Sequence, residues 1–326
     1  MDFGGKINME EENLINKHKK TIDFFKDEGF IPLDNKSFPL LNKYKNSSLF
    51  QEKSITAFIA WQYTYFGHYK IINDCLCSVF FHKTQNVYWT IHRPKEDTSY
   101  HLQPLIDTLS LLNKKAGIPV LQIKFVEEHL LADYKAVSGY VIETSYNIDS
   151  SEYAYKTKDL AAIDGHDNYY KRKRFKKFLE RTDISVRPIT KQNVKFCIDI
   201  ENYWCNKQDC SYCLSFFGCE KKAIEVITDI FDENVHHGLF LYENEAPVGF
   251  IIAEKTNKYL SFTYFGKSKL PDGFTYLIYI MYKEHINDVE YMNINEDMGH
   301  PGLRRFKRLL GAYELWHKYI VTYRII

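Results

Sequence analysis

Asn293-Ile294-Asn295-Glu296-Asp297-Met298-Gly299-His300-Pro301-Gly302-Leu303-Arg304-Arg305-Phe306-Lys307 reads as the end of a strand, a polar turn and the start of a helix. Pro301 sits where a first-turn proline belongs, because its missing N–H would have no helical partner there anyway. In an open α/β sheet the carboxyl end of a strand faces the crevice where ligands bind. Strand alternation places Asn293, Asn295 and Asp297 on one face and Glu296 on the other. Asp297, Asn295 and Glu296 are therefore candidate catalytic residues, since acidic groups there can hold a substrate amine or accept a proton. Asn293 is a candidate substrate contact, and Arg304 and Arg305 on the next helix are candidate phosphate contacts. The alternative is a turn in which Asp and Gly serve only to cap the helix.

Outward from this stretch, the second half reads as strand Ile184–Ile189, then helices Gln192–Trp204 and Glu220–Phe231. Strands Gly238–Tyr242, Val248–Glu254 and Tyr259–Phe265 follow, then helix Phe274–Ile286, strand Glu290–Asn295, helix Pro301–Leu310 and a last strand Trp316–Tyr323. Two helices, an antiparallel meander, a helix, a strand, a helix and a final strand follow the order of the GNAT acyltransferase fold.

The first half opens with Leu14, Ile15, His18, Ile22 and Phe25 at helical spacing and Gly29 as a stop. Ile55–Tyr65 and Tyr69–Phe81 read as strand-rich, Asn86–His92 as a strand, Leu102–Lys115 as a helix stopped at Gly117, and Val120–Phe125 as a strand. Asp149-Ser150-Ser151 is a short polar link, and 326 residues suit two domains, so the boundary is expected near residue 150, giving 1–150 and 151–326.

Composition narrows the function. Hydrophobic content of 45% suffices for packed cores, and no apolar run approaches the roughly 20 residues that span a bilayer. The acidic N-terminus is unlike an export signal, which implies a cytoplasmic location with no transmembrane segment. Seven cysteines, an odd number, read as reduced thiols. A net charge of +1 leaves attraction to nucleic acid or anionic lipid to local patches.

The densest patch is Lys171-Arg172-Lys173-Arg174-Phe175-Lys176-Lys177. Helical spacing puts Phe175, Phe178 and Leu179 on one face and fans the cations over the rest. Lys171, Arg172 and Arg174 are candidate contacts for tRNA, a phospholipid head group or a pyrophosphate; a solvated helix face is the alternative. Of Cys205, Cys210, Cys213 and Cys219 only Cys210 and Cys213 have the spacing of a zinc knuckle, one pair where a site needs two, so no metal is expected. Phe265–Phe274 occupies the place of the acetyl-CoA loop but lacks its Gly-x-Gly pattern, which leaves acyl-CoA as a secondary donor candidate. His236, His237 and His300 have no triad partners and read as core or surface residues.

These motifs resemble the phosphatidylglycerol lysyltransferase C-terminal domain family. The family's basic motif is matched by Gly165, Lys171, Arg172 and Phe178, with Lys173 in place of Asn. Its second motif is matched by Asn293, Asp297, Gly299, Pro301, Gly302, Leu303 and Arg304, with Ile294, Asn295 and Glu296 in place of Arg, Glu and Gln. Weaker similarity, at Ser54–Trp61 and Trp204, extends over about residues 30–326.

The resemblance implies a bacterial protein of two tandem GNAT-like domains, α/β with mixed, mostly antiparallel sheets, the second opened by the basic helix. It implies transfer of an aminoacyl group from aminoacyl-tRNA, or another phosphate-bearing donor, to a lipid head group or peptide amine without metal, cofactor or covalent enzyme intermediate. Contact with anionic lipid would be peripheral, through the basic helix. An acyl-CoA-dependent N-acyltransferase and a non-catalytic ligand-binding tandem fold are the other readings.

Overall fold

The computed structural model describes residues 16–44, 54–61, 67–81, 87–93, 101–162, 169–207, 219–257, 259–311 and 314–325. Among them, fourteen strands form two sheets of seven. The chain divides into two compact units, Met1–Asn147 with His317–Ile326, and Ile148–Trp316.

The first sheet holds β1 (Ile31–Pro32), β2 (Gly67–Ile72), β3 (Cys75–Phe81), β4 (Val87–His92), β5 (Leu121–Glu127) and β6 (Tyr140–Tyr146). The second holds β7 (Glu152–Lys156), β8 (Ile184–Pro188), β9 (His236–Glu243), β10 (Ala246–Lys255), β11 (Leu260–Ser268), β12 (Tyr291–Glu296) and β13 (Glu314–Trp316). The last strand, β14 (Lys318–Ile325), belongs to the first sheet. The orders are β1-β2-β3-β4-β5-β14-β6 and β13-β7-β12-β11-β10-β9-β8. Each sheet is antiparallel except at one parallel pair, β4 with β5 and β11 with β12. In each, the strand beyond that pair comes from out of sequence: β14 in the first, β7 in the second. Two GNAT-like sheets of one pattern stand in tandem.

Local chemistry explains the elements. Helix Leu102–Lys115 buries Leu102, Leu105, Ile106, Leu109 and Leu112, the stripe a 3.6-residue period produces. It ends where Gly117 turns left-handed (φ 74°) and the Ile118 N–H reaches the Asn113 carbonyl at 2.8 Å, a closure glycine enters with the least strain. The β2–β3 hairpin turns on Asn73 and Asp74, both at positive φ, which matches the twist of a two-residue loop. The opening helix, residues 16–27, packs Ile22 and Phe25 into the first core beside Trp89, whose Nε1 donates to Asn113 Oδ1 at 2.9 Å.

Several expectations are corrected. Ile55–Ala60 is a helix: Ser54 Oγ accepts the Ala57 N–H at 3.4 Å, and Phe58 stacks on Phe80 at 5.2 Å. This cap outweighs the strand preference of its aromatic and β-branched residues. Residues 62–65 of that stretch lie outside the described residues. Glu152–Lys156, which falls in the expected link between the halves and the segment after it, is a strand that pairs with both β12 and β13. The anticipated last strand, Trp316–Tyr323, is two strands divided at His317, and its larger part pairs with β5 and β6, so 151–326 does not keep its own terminal strand.

Candidate functional site

β11 and β12 run parallel through Leu260↔Tyr291, Ser261↔Met292 and Phe262↔Asn293, and pairing stops there although both strands continue. β11 carries an extra residue against β10 at Tyr264, and β12 bulges at residues 294–295 against Tyr153 of β7. A bulge bends its strand and re-aims the side chains that follow. Asn295 takes the left-handed conformation (φ 58°), one of the few non-glycine residues that enters it readily. Its N–H donates to Asn293 Oδ1 at 2.7 Å and its Nδ2 to the Thr263 carbonyl at 3.3 Å, while its buried Oδ1 has no partner among the described residues. The bulge also breaks the simple alternation expected for Asn293, Asn295 and Asp297, and Asp297 falls just past the strand.

Asp297 is fully engaged. Arg304 donates Nε to Oδ2 at 2.7 Å and an Nη to Oδ1 at 2.8 Å, Tyr153 donates its hydroxyl to Oδ2 at 2.5 Å, and the Gly299 N–H reaches Oδ1 at 2.8 Å. Burial would raise its pKa, but these hydrogen bonds outweigh it and hold the carboxyl at about 2. A carboxylate so held is a weak base. Its geometry suits it to locking the turn after β12 onto helix Pro301–Leu309, with Arg304 also bound to Asp149. The helix cap is His300, whose Nδ1 accepts the Leu303 N–H at 3.0 Å, a role the alternative reading of the turn gives to Asp and Gly. Asn293 is buried, donating to Glu152 at 2.8 Å; Arg305 is exposed.

A cavity of about 530 Å³ opens where β11 ends. Its wall comprises Gly266–Asp272, Phe274 and Thr275 with Phe175, Trp204, Phe306, Leu309 and Leu310. Aromatic and aliphatic carbons dominate it, as in most small-molecule sites. Trp204 Nε1 is buried there without a hydrogen-bond partner among the described residues. Lys267 is a paired charge of the wall, with Nζ 2.7 Å from Glu201 and 2.9 Å from Glu220. Burial opposes its protonation, but the two carboxylates outweigh burial and keep it charged. Burial, then the charge of Glu220, push the Glu201 carboxyl up against the pull of Lys267. Both glycines of the loop serve close packing. A Cβ at Gly266 would meet the Phe274 ring at 1.8 Å, and one at Gly273 would meet Ser268 Oγ at 2.2 Å.

The basic helix, Tyr169–Leu179, adds to this wall through Phe175, which stacks on Tyr279 at 5.2 Å, while Phe178 stacks on Tyr276 at 4.9 Å. Leu179, expected on the same face, is 58% exposed because the helix ends there. The side chains of Lys171, Arg172 and Arg174, and residues Gly165, Cys210 and Cys213, lie outside the described residues. Cys205 donates its thiol to Glu201 at 3.5 Å. Among the described residues no group of three or more His, Cys, Asp or Glu could hold a metal ion, and no helix is long and apolar enough to cross a membrane. Lys267, Glu201, Phe274 and Phe306 were not singled out from sequence. The loop Gly266–Gly273 is the signal that points to them, although its sequence, lacking the Gly-x-Gly pattern, supports acyl-CoA only as a secondary donor.

No curated protein matches the chain. Among solved structures, a conserved protein of unknown function from Bacteroides thetaiotaomicron is similar at TM-score 0.80 and 19% identity, covering 91% of this chain and 99% of that one. The domain assigned as the C-terminal part of a lysylphosphatidylglycerol synthetase from Agrobacterium fabrum is similar at TM-score 0.59 and 11% identity, covering 86% and 88%. FemX is similar at TM-score 0.58 and 12% identity, covering 88% and 95%. These likenesses are of fold. The sequence itself matches a described family over residues 47–321, far more than half its length, and the chain therefore belongs to the family of the phosphatidylglycerol lysyltransferase C-terminal domain.

Proposed function

We propose that this protein is an enzyme that transfers an aminoacyl group from aminoacyl-tRNA to an acceptor nucleophile, at the open end of the β11–β12 gap in the second unit. The observation that carries the reading is the cavity of about 530 Å³ at the end of β11, in a chain of this family. Its aromatic wall suits the terminal adenosine of a charged tRNA, because a base stacks on rings whatever its identity. Lys171, Arg172, Arg174 and exposed Arg305 would hold the phosphates behind it. Asn295, whose side-chain carbonyl oxygen has no partner among the described residues, would accept a hydrogen bond from the donor's amine or the acceptor, beside Asn293 and Glu296. Asp297 and Arg304 would keep the turn in place.

In the reaction the acceptor nucleophile attacks the ester carbonyl, the bond from that carbon to the ribose oxygen breaks, and the nucleophile's proton ends on the ribose oxygen. Holding both substrates together supplies most of the acceleration, as effective molarity does in other ordered transfers. An acyl-CoA donor is less well served, since Gly266 and Gly273 accommodate a ring and a serine instead of leaving amides open to a pyrophosphate.

Incubation with tRNAs charged with labelled amino acids, and with phosphatidylglycerol vesicles or peptide amines as acceptors, tests the reading. Label is expected to move to one acceptor class, with tRNA retention on filters falling steeply as salt rises. Absence of both transfer and salt-sensitive binding would sink it.

A further inference from the structure

We infer that the first unit carries a phosphate-binding site at Lys124 and Thr90, where β4 and β5 part. It lies outside the β11–β12 region, and nothing in the proposed transfer requires it. β4 and β5 share the single parallel pair Trp89↔Ile123. β5 then bulges, residues 124–125 standing opposite Ile320 of β14, with Phe125 left-handed at φ 63°. The bulge turns two successive side chains to one face of the sheet. Lys124 Nζ lies 4.1 Å from the Tyr88 ring centroid, and the Phe125 ring lies 6.3 Å from Tyr88 and 6.1 Å from Phe58.

Lys124 is half-buried, and among the described residues its ammonium has no carboxylate and no hydrogen-bond acceptor, only the face of Tyr88. Lys267, the comparable cation of the second unit, has two carboxylates. Thr90 alternates with Tyr88 onto the same face and, one step past the last pair, stands level with Lys124 across the parting strands. Its side chain is 0% exposed, and its hydroxyl has no partner among the described residues.

A buried hydroxyl without a partner is destabilising, and a desolvated ammonium facing only a ring is poorly compensated. One ligand would relieve both. A phosphate has oxygens enough to accept from Nζ and Oγ together and charge enough to offset the ammonium, and lysine binds it as a point charge without needing a fork geometry. Burial alone lowers the Lys124 pKa, so a bound anion would restore its charge.

The phosphate could belong to a soluble ester or to a lipid head group, and the test separates them. Thermal shift and calorimetry on the full chain would use inorganic phosphate and glycerol 3-phosphate against chloride at matched ionic strength. Co-sedimentation would use vesicles of phosphatidylglycerol against phosphatidylcholine. The wild type should melt higher with phosphate; Lys124→Met should lose the response without melting lower by itself, and Thr90→Val should bind ~10-fold more weakly. Vesicle binding lost in Lys124→Met assigns a lipid head group, and a response to soluble esters alone assigns a small molecule. No response to either probe, or equal responses in wild type and Lys124→Met, overturns the site. Because neither assay uses charged tRNA, the result stands apart from the success or failure of the transfer reaction.

Discussion

At Asp297 four donors converge on one carboxylate that is 1% exposed. The carboxyl is held at about 2 when folded, against ~3.9 in an unfolded chain. The unfolded state therefore takes up the proton first as pH falls. Stability from this group is complete above about pH 4 and is lost as pH drops through about 2. Urea unfolding of wild type and Asp297→Asn should differ by ~2 kcal/mol at neutral pH, and the difference should shrink toward pH 2. Arg304→Met, which leaves the carboxylate buried without its cation, should cost about 3 kcal/mol. Asn295 separates structure from chemistry. Asn295→Gly suits the left-handed backbone and should keep the melting temperature while losing transfer activity, whereas Asn295→Val should destabilise by ~1–2 kcal/mol. The strand, the turn and the proline at the helix start were legible around these residues, because each is encoded by neighbours in sequence. The bulge was not: it depends on Tyr153, 142 positions before Asn295, and moves Asp297 from an expected base into a clamp.

The elements around the cavity meet at the close contact of Phe274 with Gly266. The missing Cβ lets the ring come up against the strand, and the ring also stacks on Phe306 at 5.7 Å. Gly266→Ala would force the ring aside, at a penalty of ~1–3 kcal/mol for overpacking, and the displaced ring has the cavity to enter. Stability and transfer should both fall, and Gly266→Ala with Phe274→Leu should restore stability, as read by thermal melts and the charged-tRNA assay. If the double variant melts no higher than the single one, the ring is not the strained partner. Periodicity made helix Tyr169–Leu179 legible with Phe175 and Phe178 inward, but not its neighbours Tyr276 and Tyr279, since residues a hundred positions apart leave no local signal.

Strand membership is settled only by the whole chain. Local alternation marks Lys318–Ile325 as a strand, yet it carries nothing to say that Val321 and Tyr323 belong in the first core and not the second. The answer comes from the gap it fills: β14 lies between β5 and β6, pairing along both edges. Without it both strands would present open edges and the first core would lose two fully buried side chains, whose burial contributes ~1.5–3 kcal/mol each. Against a stability of ~5–15 kcal/mol for an ordinary domain, that loss and the lost ladder are decisive. Deleting 317–326 should therefore abolish slow hydrogen exchange in β4, β5 and helix Leu102–Lys115, more than 170 positions earlier in the chain, while β9–β11 keep their protection. Val321→Ala with Tyr323→Ala should produce the same pattern in weaker form. Equal loss of protection in both sheets would mean that the two units do not unfold separately, and unchanged protection in β5 would mean that β14 is dispensable to the sheet it completes.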